Sequence, residues 1–256
     1  MKRFLVLVYG VSSYVVFFAT FLYSVGFIGN LIVPKSIDSV PQAPLATALF
    51  VNVLLLVVFA VQHSVMARPA FKRWWTQIVP EAAERSTYVL FSSMALILLF
   101  ALWEPMGGVI WSVSATPAVW AIYALFAFGW GLLLVSTFAI DHFDLFGLRQ
   151  TWSYFRNKKP QRATFVEPWL YRVVRHPLYV GWFFAIWATP VMTAAHLVFA
   201  LGTSIYMLIG IQLEERDLAD AHPEYHDYKS RVPMLIPRLR ALFGRRTAGA
   251  IAASKQ

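Results

Sequence analysis

The stretch Tyr171 to Trp182, YRVVRHPLYVGW, sets a guanidinium and an imidazole, Arg175 and His176, directly before Pro177, with Tyr179 and Gly181 just beyond. An arginine offers a fixed fork of donors to an anion, and an imidazole takes or gives a proton near neutral pH. Proline is at home in the first turn of a helix, where its missing N–H has no partner to lose. The spacing therefore predicts a helix opening at Pro177. Arg175 and His176 are held at its mouth and Tyr179 and Gly181 are carried into it, the glycine permitting close approach by a backbone or a ligand.

Two neighbouring acids, Glu214 and Glu215, come next. On a helix they project about 100° apart, so one of them, Glu214 by preference, is expected to enter a site while the other pairs with Arg216 or Arg231 at the surface. Tyr225 and Tyr228, three apart, share a helical face. His222 and His226 have the spacing of a metal pair, but Pro223 interrupts the turn and no metal is expected. Upstream, His63, Tyr88, Asp141, His142 and Arg149 form a second group able to move protons and hold charge. The chain has no cysteine, which removes disulfides, thiolate–zinc sites, iron–sulfur clusters and a cysteine nucleophile.

These groups have to be positioned by membrane helices. Of the 256 residues, 59% are hydrophobic and 14% charged, too apolar for a soluble domain of this size. A helix needs about 20 apolar residues to cross the hydrocarbon core. Runs of that order extend from Phe4 to Val33, Leu45 to Met66, Ser86 to Trp103 and Val119 to Ile140, and a close pair, Leu178 to Met192 and Ala194 to Leu213, reads as a helical hairpin. The expected fold is all-α, a polytopic membrane helix bundle of four full spans plus a C-terminal helical hairpin. It forms one domain over residues 1–240, followed by a basic flexible tail over 241–256. Lys2 and Arg3 precede the first run, but its length marks a retained anchor rather than a secretory signal.

The net charge of +9 follows from topology, because Lys and Arg concentrate in cytoplasmic loops. They gather before the first span, between the second and third, between the fourth and the hairpin, and after the hairpin, while the intervening loops hold Lys35 alone. Both termini are then cytoplasmic, and the excess calls for a lipid bilayer rather than nucleic acid as partner. Nothing in the residues sets an oligomeric state. This orientation brings His63, Tyr88, Asp141, His142, His176 and Glu214 to one depth, the cytoplasmic rim. Ionisable groups near hydrocarbon are costly and mark functional sites. A transporter would instead place polar groups and helix breaks near the midplane, often in two related halves; here the midspan residues are largely Leu, Val, Phe and Ala, without an internal repeat.

RHPLYVG, then EERDL, then HPEYHDYKSRVPMLIPR, together covering roughly residues 165–240, resemble the C-terminal half of the isoprenylcysteine carboxyl methyltransferase family. That family carries Arg-His-Pro-x-Tyr-x-Gly, a Glu-Glu pair and a Tyr-x-x-Tyr segment before a Val-Pro. Upstream, FxxQHS at Phe59 to Ser64, ERxxYxL at Glu84 to Leu90 and DHFDLFGLRQ at Asp141 to Gln150 resemble the NnrU-like branch of the superfamily, and within it the bacterial methanethiol S-methyltransferases. The resemblance implies S-adenosylmethionine as cofactor, a small volatile thiol as substrate, dimethyl sulfide as product, and a pocket at the cytoplasmic face of a bacterial inner membrane. A methyltransferase of prenylated or lipid-like substrates, or a nonenzymatic membrane factor or transporter, is the alternative. Sterol reductases share the distant architecture but use NADPH, so fold analogy alone does not choose the cofactor.

On that resemblance, Arg175 holds the cofactor carboxylate, His176 and Tyr179 line the adenosine pocket, and Gly181 makes room for the cofactor. Glu214 or Glu215 meets its amino and ribose groups, and Tyr225 and Tyr228 close over it. Methyl transfer needs the thiol positioned in line and water kept out. An alkyl thiol is a weaker acid than cysteine, whose pKa is about 8.5, so a base or a strong positive field is required. Asp141 and His142 are expected nearest the thiol, with Tyr88 and His63 orienting it or relaying its proton and Arg149 at the same rim. The insertion from Leu145 to Val174 is expected to act as a lid.

Overall fold

A computed structural model describes residues 1–158 and 165–238; the basic tail expected over 241–256 lies outside the described residues, as does the middle of the expected lid. The chain forms α1 (Lys2–Gly29), α2 (Leu45–Ala67), α3 (Pro69–Trp75), α4 (Glu81–Leu102), β1 (Val109–Ser112) and α5 (Thr116–Ile140). It continues with α6 (His142–Leu145), α7 (Leu148–Phe155), α8 (Pro177–Trp187), β2 (Val191–Thr193), α9 (Ala194–Ala221) and α10 (Tyr225–Arg231).

Five helices, α1, α2, α4, α5 and α9, are long and apolar enough to cross a membrane. The protein is a polytopic helical membrane bundle. The hairpin's arms are unequal: α9 has 28 residues, whereas α8 has 11, about 17 Å of helix. Two short strands not foreseen in the sequence account for the difference. Val191–Thr193 leaves the helical path after Pro190 and pairs antiparallel with Val109–Ser112, fastening the hairpin's tip to the α4–α5 connection.

Punctuation in the sequence sets the helix ends. Pro44 and Pro80 precede α2 and α4, and Pro69, Pro117 and Pro177 lie in the first turns of α3, α5 and α8, where proline costs no hydrogen bond. Glu81 and Glu84 sit in the first turn of α4, complementing the helix dipole. Asp141 ends α5 with φ 141° and then caps α6, its carboxylate accepting from the Asp144 N–H.

Burial is inverted relative to a soluble protein. Ser13, Thr20, Ser24, Asn52, Ser93 and Ser136 are buried while Phe4, Phe50, Val57 and Phe128 face outward, as expected where the solvent is lipid. The buried hydroxyls of Ser13, Thr20 and Ser24 donate to the carbonyls one turn back at 2.7–2.8 Å. α1 packs against α4 and α7, with Phe21 reaching Trp130 of α5; α2 packs between α4 and α9, and α5 against α8. At the α5–α8 contact Gly129 lies on Gly181, where an added Cβ would come within 2.6–2.7 Å of the facing backbone. Gly181, expected to make room for a cofactor, instead lets α8 lie directly on α5. Phe27, Phe100, Trp103, Phe126 and Phe199 fill the core towards the β1–β2 end. Asp38 and buried His196 pair at this end, beside Thr193 of β2; the groups around Glu215, His63 and His142 lie elsewhere.

Candidate functional site

Pro177 opens α8, as its position predicts, and the two residues before it are pinned from outside the helix. The Arg175 and His176 N–H groups donate to the carbonyls of Pro233 and Met234 at 2.9 and 3.2 Å. Glu215 is the centre of a buried cluster, its side chain 2% exposed. One of its oxygens accepts from Arg175 Nε at 2.7 Å and His176 Nε2 at 3.0 Å, and the other faces Lys229 Nζ at 2.8 Å. A carboxylate can only accept, so His176 carries its proton on Nε2. Arg175 also donates from Nη1 to the carbonyls of Val232 and Lys229 at 2.6 and 3.1 Å.

This arrangement corrects one expectation. Glu215 does not pair at the surface with Arg216 or Arg231; Arg231 binds Asp227 and Glu167 at 2.8 and 3.0 Å. An isolated buried carboxylate is prohibitively costly, and two cations, Arg175 at the mouth of α8 and Lys229 of α10, together with the His176 N–H, supply the compensation. Arg175, expected to hold the cofactor carboxylate, here ties the chain after α9 to the mouth of α8.

Glu214, on the neighbouring face, accepts from the Tyr179 hydroxyl at 3.1 Å. Tyr225 and Tyr228 share one face, as their spacing predicts, and pack with Val232 and Phe165 in a small second core. Burial pushes both phenols up from their ordinary pKa, as it does Tyr171, so all three stay protonated donors. Tyr228 donates to the Tyr171 carbonyl at 2.6 Å, whereas the buried Tyr225 hydroxyl has no partner among the described residues.

Beside the Tyr179–Glu214 pair lies a second polar group from α2, α4 and α9. Tyr88 Oη is 2.7 Å from His63 Nε2, and His63 Nδ1 is 3.0 Å from Ser92 Oγ. Phe59 stacks on the imidazole at 5.2 Å and Tyr206 meets it edge-on at 6.3 Å. Ser64 donates to Tyr206 Oη at 3.3 Å. Contacts link the two pairs from helix to helix: Tyr179 binds Glu214 on α9, Tyr206 of α9 meets His63, and His63 binds Tyr88. Four helices thus meet at one level.

The remaining expected residues form a separate group between α1 and the α5–α6 corner. His142 is buried, stacked on Phe138 at 4.2 Å. Its Nε2 lies 2.8 Å from Tyr14 Oη and its Nδ1 2.8 Å from Thr137 Oγ1. The Thr137 hydroxyl already donates to the Leu134 carbonyl at 2.7 Å, so it accepts from Nδ1–H, and Tyr14 donates to Nε2. Asp141 pairs with Arg149 on the half-exposed rim. His63 and Tyr88 therefore meet Tyr206 on the helix that carries Glu214, while Asp141, His142 and Arg149 form their own group at the α5–α6 corner against α1. Among the described residues no three His, Asp or Glu side chains group as a metal site.

The His142 arrangement has a pH signature. Burial lowers its pKa, with Asp141 opposing, whereas an unfolded imidazole titrates at about 6.5. Between those two values the unfolded chain binds the extra proton, so the stability contributed by neutral His142 is fully present above about pH 6.5 and lost as pH falls towards the lowered value. Thermal unfolding in detergent is expected to show wild-type protein losing more stability on acidification than His142→Gln. Equal losses would contradict a buried neutral imidazole.

The NnrU protein family model matches residues 51–247. The chain belongs to the NnrU protein family. Curated relatives of this NnrU-family chain include a methanethiol S-methyltransferase from Crocosphaera subtropica, 56% identical over 93% of each chain, and one from Mycobacterium tuberculosis, 51% identical over 93% of this chain and 98% of that one. Methanethiol S-methyltransferase 2 from Bradyrhizobium diazoefficiens is 51% identical over 93% of this chain and 92% of that one. No solved structure matches. Within the NnrU-family chain, sequence reasoning missed Lys229, Ser92, Tyr14 and Tyr206. Tyr206 alone had a legible signal, standing two turns before Glu214 on the same face of α9.

Proposed function

We propose that this chain transfers a methyl group from S-adenosylmethionine to the sulfur of methanethiol, giving dimethyl sulfide and S-adenosylhomocysteine, at the cytoplasmic face of a bacterial inner membrane. The relatives' names supply the reaction. The observation that carries it to these residues is that His63, paired with Tyr88, meets Tyr206 on α9, two turns before the Glu214 that Tyr179 binds, since a thiol must lose its proton next to the place where the donor is held. The residues fit such a donor: Glu214 accepts from Tyr179 through one oxygen and keeps the other for a donor group of the ligand, and the buried Tyr225 hydroxyl lacks a partner among the described residues.

When bound, S-adenosylmethionine supplies an electrophilic methyl on a sulfonium centre. Tyr179 and Glu214 orient it from α8 and α9, and the Glu215 cluster fixes the segment that closes that side. With its proton on Nδ1, donated to Ser92, His63 presents Nε2 to the Tyr88 hydroxyl. The thiol proton passes to Tyr88 oxygen as the Tyr88 proton passes to Nε2, leaving a thiolate and an imidazolium. The surrounding apolar helices keep water out. In this scheme Arg149 and Asp141 fix the α5–α7 corner.

Headspace detection of dimethyl sulfide from purified protein, S-adenosylmethionine and methanethiol tests the reaction, with calorimetric titration of S-adenosylhomocysteine beside it. Both are expected to be positive. Binding without dimethyl sulfide, together with methylation of a prenylated acceptor, would move the assignment to lipid-like substrates. Absence of binding would remove both enzyme readings.

A further inference from the structure

Tyr206, Gly210 and Glu214 stand at i, i+4 and i+8 of α9 and form one stripe. A Cβ built on half-buried Gly210 would meet a single atom within 4 Å, Tyr179 Oη at 3.9 Å. At Gly26, Gly129 and Gly181 the corresponding nearest distances are 2.4, 2.6 and 2.7 Å, because packed neighbours take the space. Gly131 is also open, but on the exposed outer face. Gly210 is different: its open side faces the Tyr179 hydroxyl of α8, one turn along α9 from Tyr206.

Those phenols use their protons differently. Tyr179 donates to Glu214 at 3.1 Å, and Tyr88 bonds to His63 at 2.7 Å. Tyr206 accepts from Ser64 at 3.3 Å, and its own hydroxyl proton has no acceptor among the described residues. A hydroxyl that accepts a hydrogen bond becomes a stronger donor. We infer that the alkyl thiol docks over Gly210, with Tyr206 donating to its sulfur.

This rests on the methyl-transfer reading. As the S–H proton leaves towards Tyr88, negative charge develops on sulfur, and the Tyr206 donor is already placed to meet it. The new carbon–sulfur bond then forms as the sulfonium carbon–sulfur bond breaks. The empty glycine position gives the thiol's alkyl group its room.

The test uses the full-length protein with methanethiol and two variants. Gly210→Ala strengthens helix propensity and meets nothing closer than 3.9 Å, so the fold tolerates it. It is expected to raise KM for methanethiol roughly 10-fold or more, with S-adenosylhomocysteine affinity unchanged. Tyr206→Phe is expected to lower kcat/KM by about 10- to 100-fold and to displace its pH profile upward, with Ser64→Ala acting in the same direction but less. If Gly210→Ala weakens S-adenosylhomocysteine binding and spares the thiol KM, the space belongs to the cofactor and the inference is overturned. Wild-type KM and pH profile in both variants overturn it equally. Wild-type protein that makes no dimethyl sulfide refutes the methyl-transfer reading itself, whatever the variants do.

Discussion

Replacing His63 with alanine is expected to lower kcat for methanethiol by about 10²- to 10⁴-fold, with S-adenosylhomocysteine binding left at the wild-type level. His63 Nε2 is the acceptor behind Tyr88 at 2.7 Å, and without it the thiol proton has no internal destination. Tyr88→Phe is expected to fall in the same range, since it removes the group between thiol and imidazole. The two losses should not add, because the residues act as one relay. In either variant the residual rate is expected to climb with pH as the free thiolate fraction grows, above the cysteine-like range near pH 8.5, while wild-type activity is already high at neutral pH. Steady-state headspace kinetics across pH, with calorimetric binding as control, give both readouts. Wild-type kcat in His63→Ala would remove the relay from the mechanism.

Glu215→Ala is expected to be the most destabilising single change at the site. It strips the shared acceptor from Arg175 and His176, whose side chains are 9% and 5% exposed, and leaves buried donors facing nothing. Breaking a buried ion pair by removing one partner costs about 3–5 kcal/mol. The effect reaches binding, because Arg175 also holds the Val232 and Lys229 carbonyls and thereby fixes the segment after α10. Loss of S-adenosylhomocysteine affinity together with a lowered thermal transition in detergent is the expected result. Glu215→Gln keeps an acceptor and should be milder on both counts. If Glu215→Ala matched the wild type in stability and binding, the cluster would hold nothing together.

The contrast between Glu215 and Pro177 shows where sequence reasoning works. Pro177 acts within its own turn, so its role as a helix opener is legible from neighbours alone. Glu215 takes its meaning from Arg175 and Lys229, which are remote in the chain or on another helix, and helical periodicity says that two adjacent acids diverge without saying which one is buried. His63 and His142 make the same point in another dimension. Hydropathy and the placement of Lys and Arg give depth along the membrane normal, and both imidazoles were put at one rim on that basis. The angle around the bundle depends on which helices touch, and α5 touching α1 carries His142 to Tyr14 and away from Tyr88. Gly181 was read as ligand space because a glycine's freedom is visible in sequence, whereas the α5 backbone that occupies that space is not. The long spans were legible throughout, since 20 apolar residues in a row admit few other fates. The unequal hairpin was not, because pairing of Val191–Thr193 with Val109–Ser112 is long-range.

In the proposed reaction the methyl donor is held between Tyr179–Glu214 and Tyr88–His63, at the level where α2, α4, α8 and α9 meet. An experimental structure of the detergent-solubilised protein with S-adenosylhomocysteine tests this most directly. The expected result places the ligand's sulfur beside Glu214 and Tyr179, facing Tyr88 across the open side of Gly210. A ligand seated instead between α1 and the α5–α6 corner, against His142 and Tyr14, would contradict it.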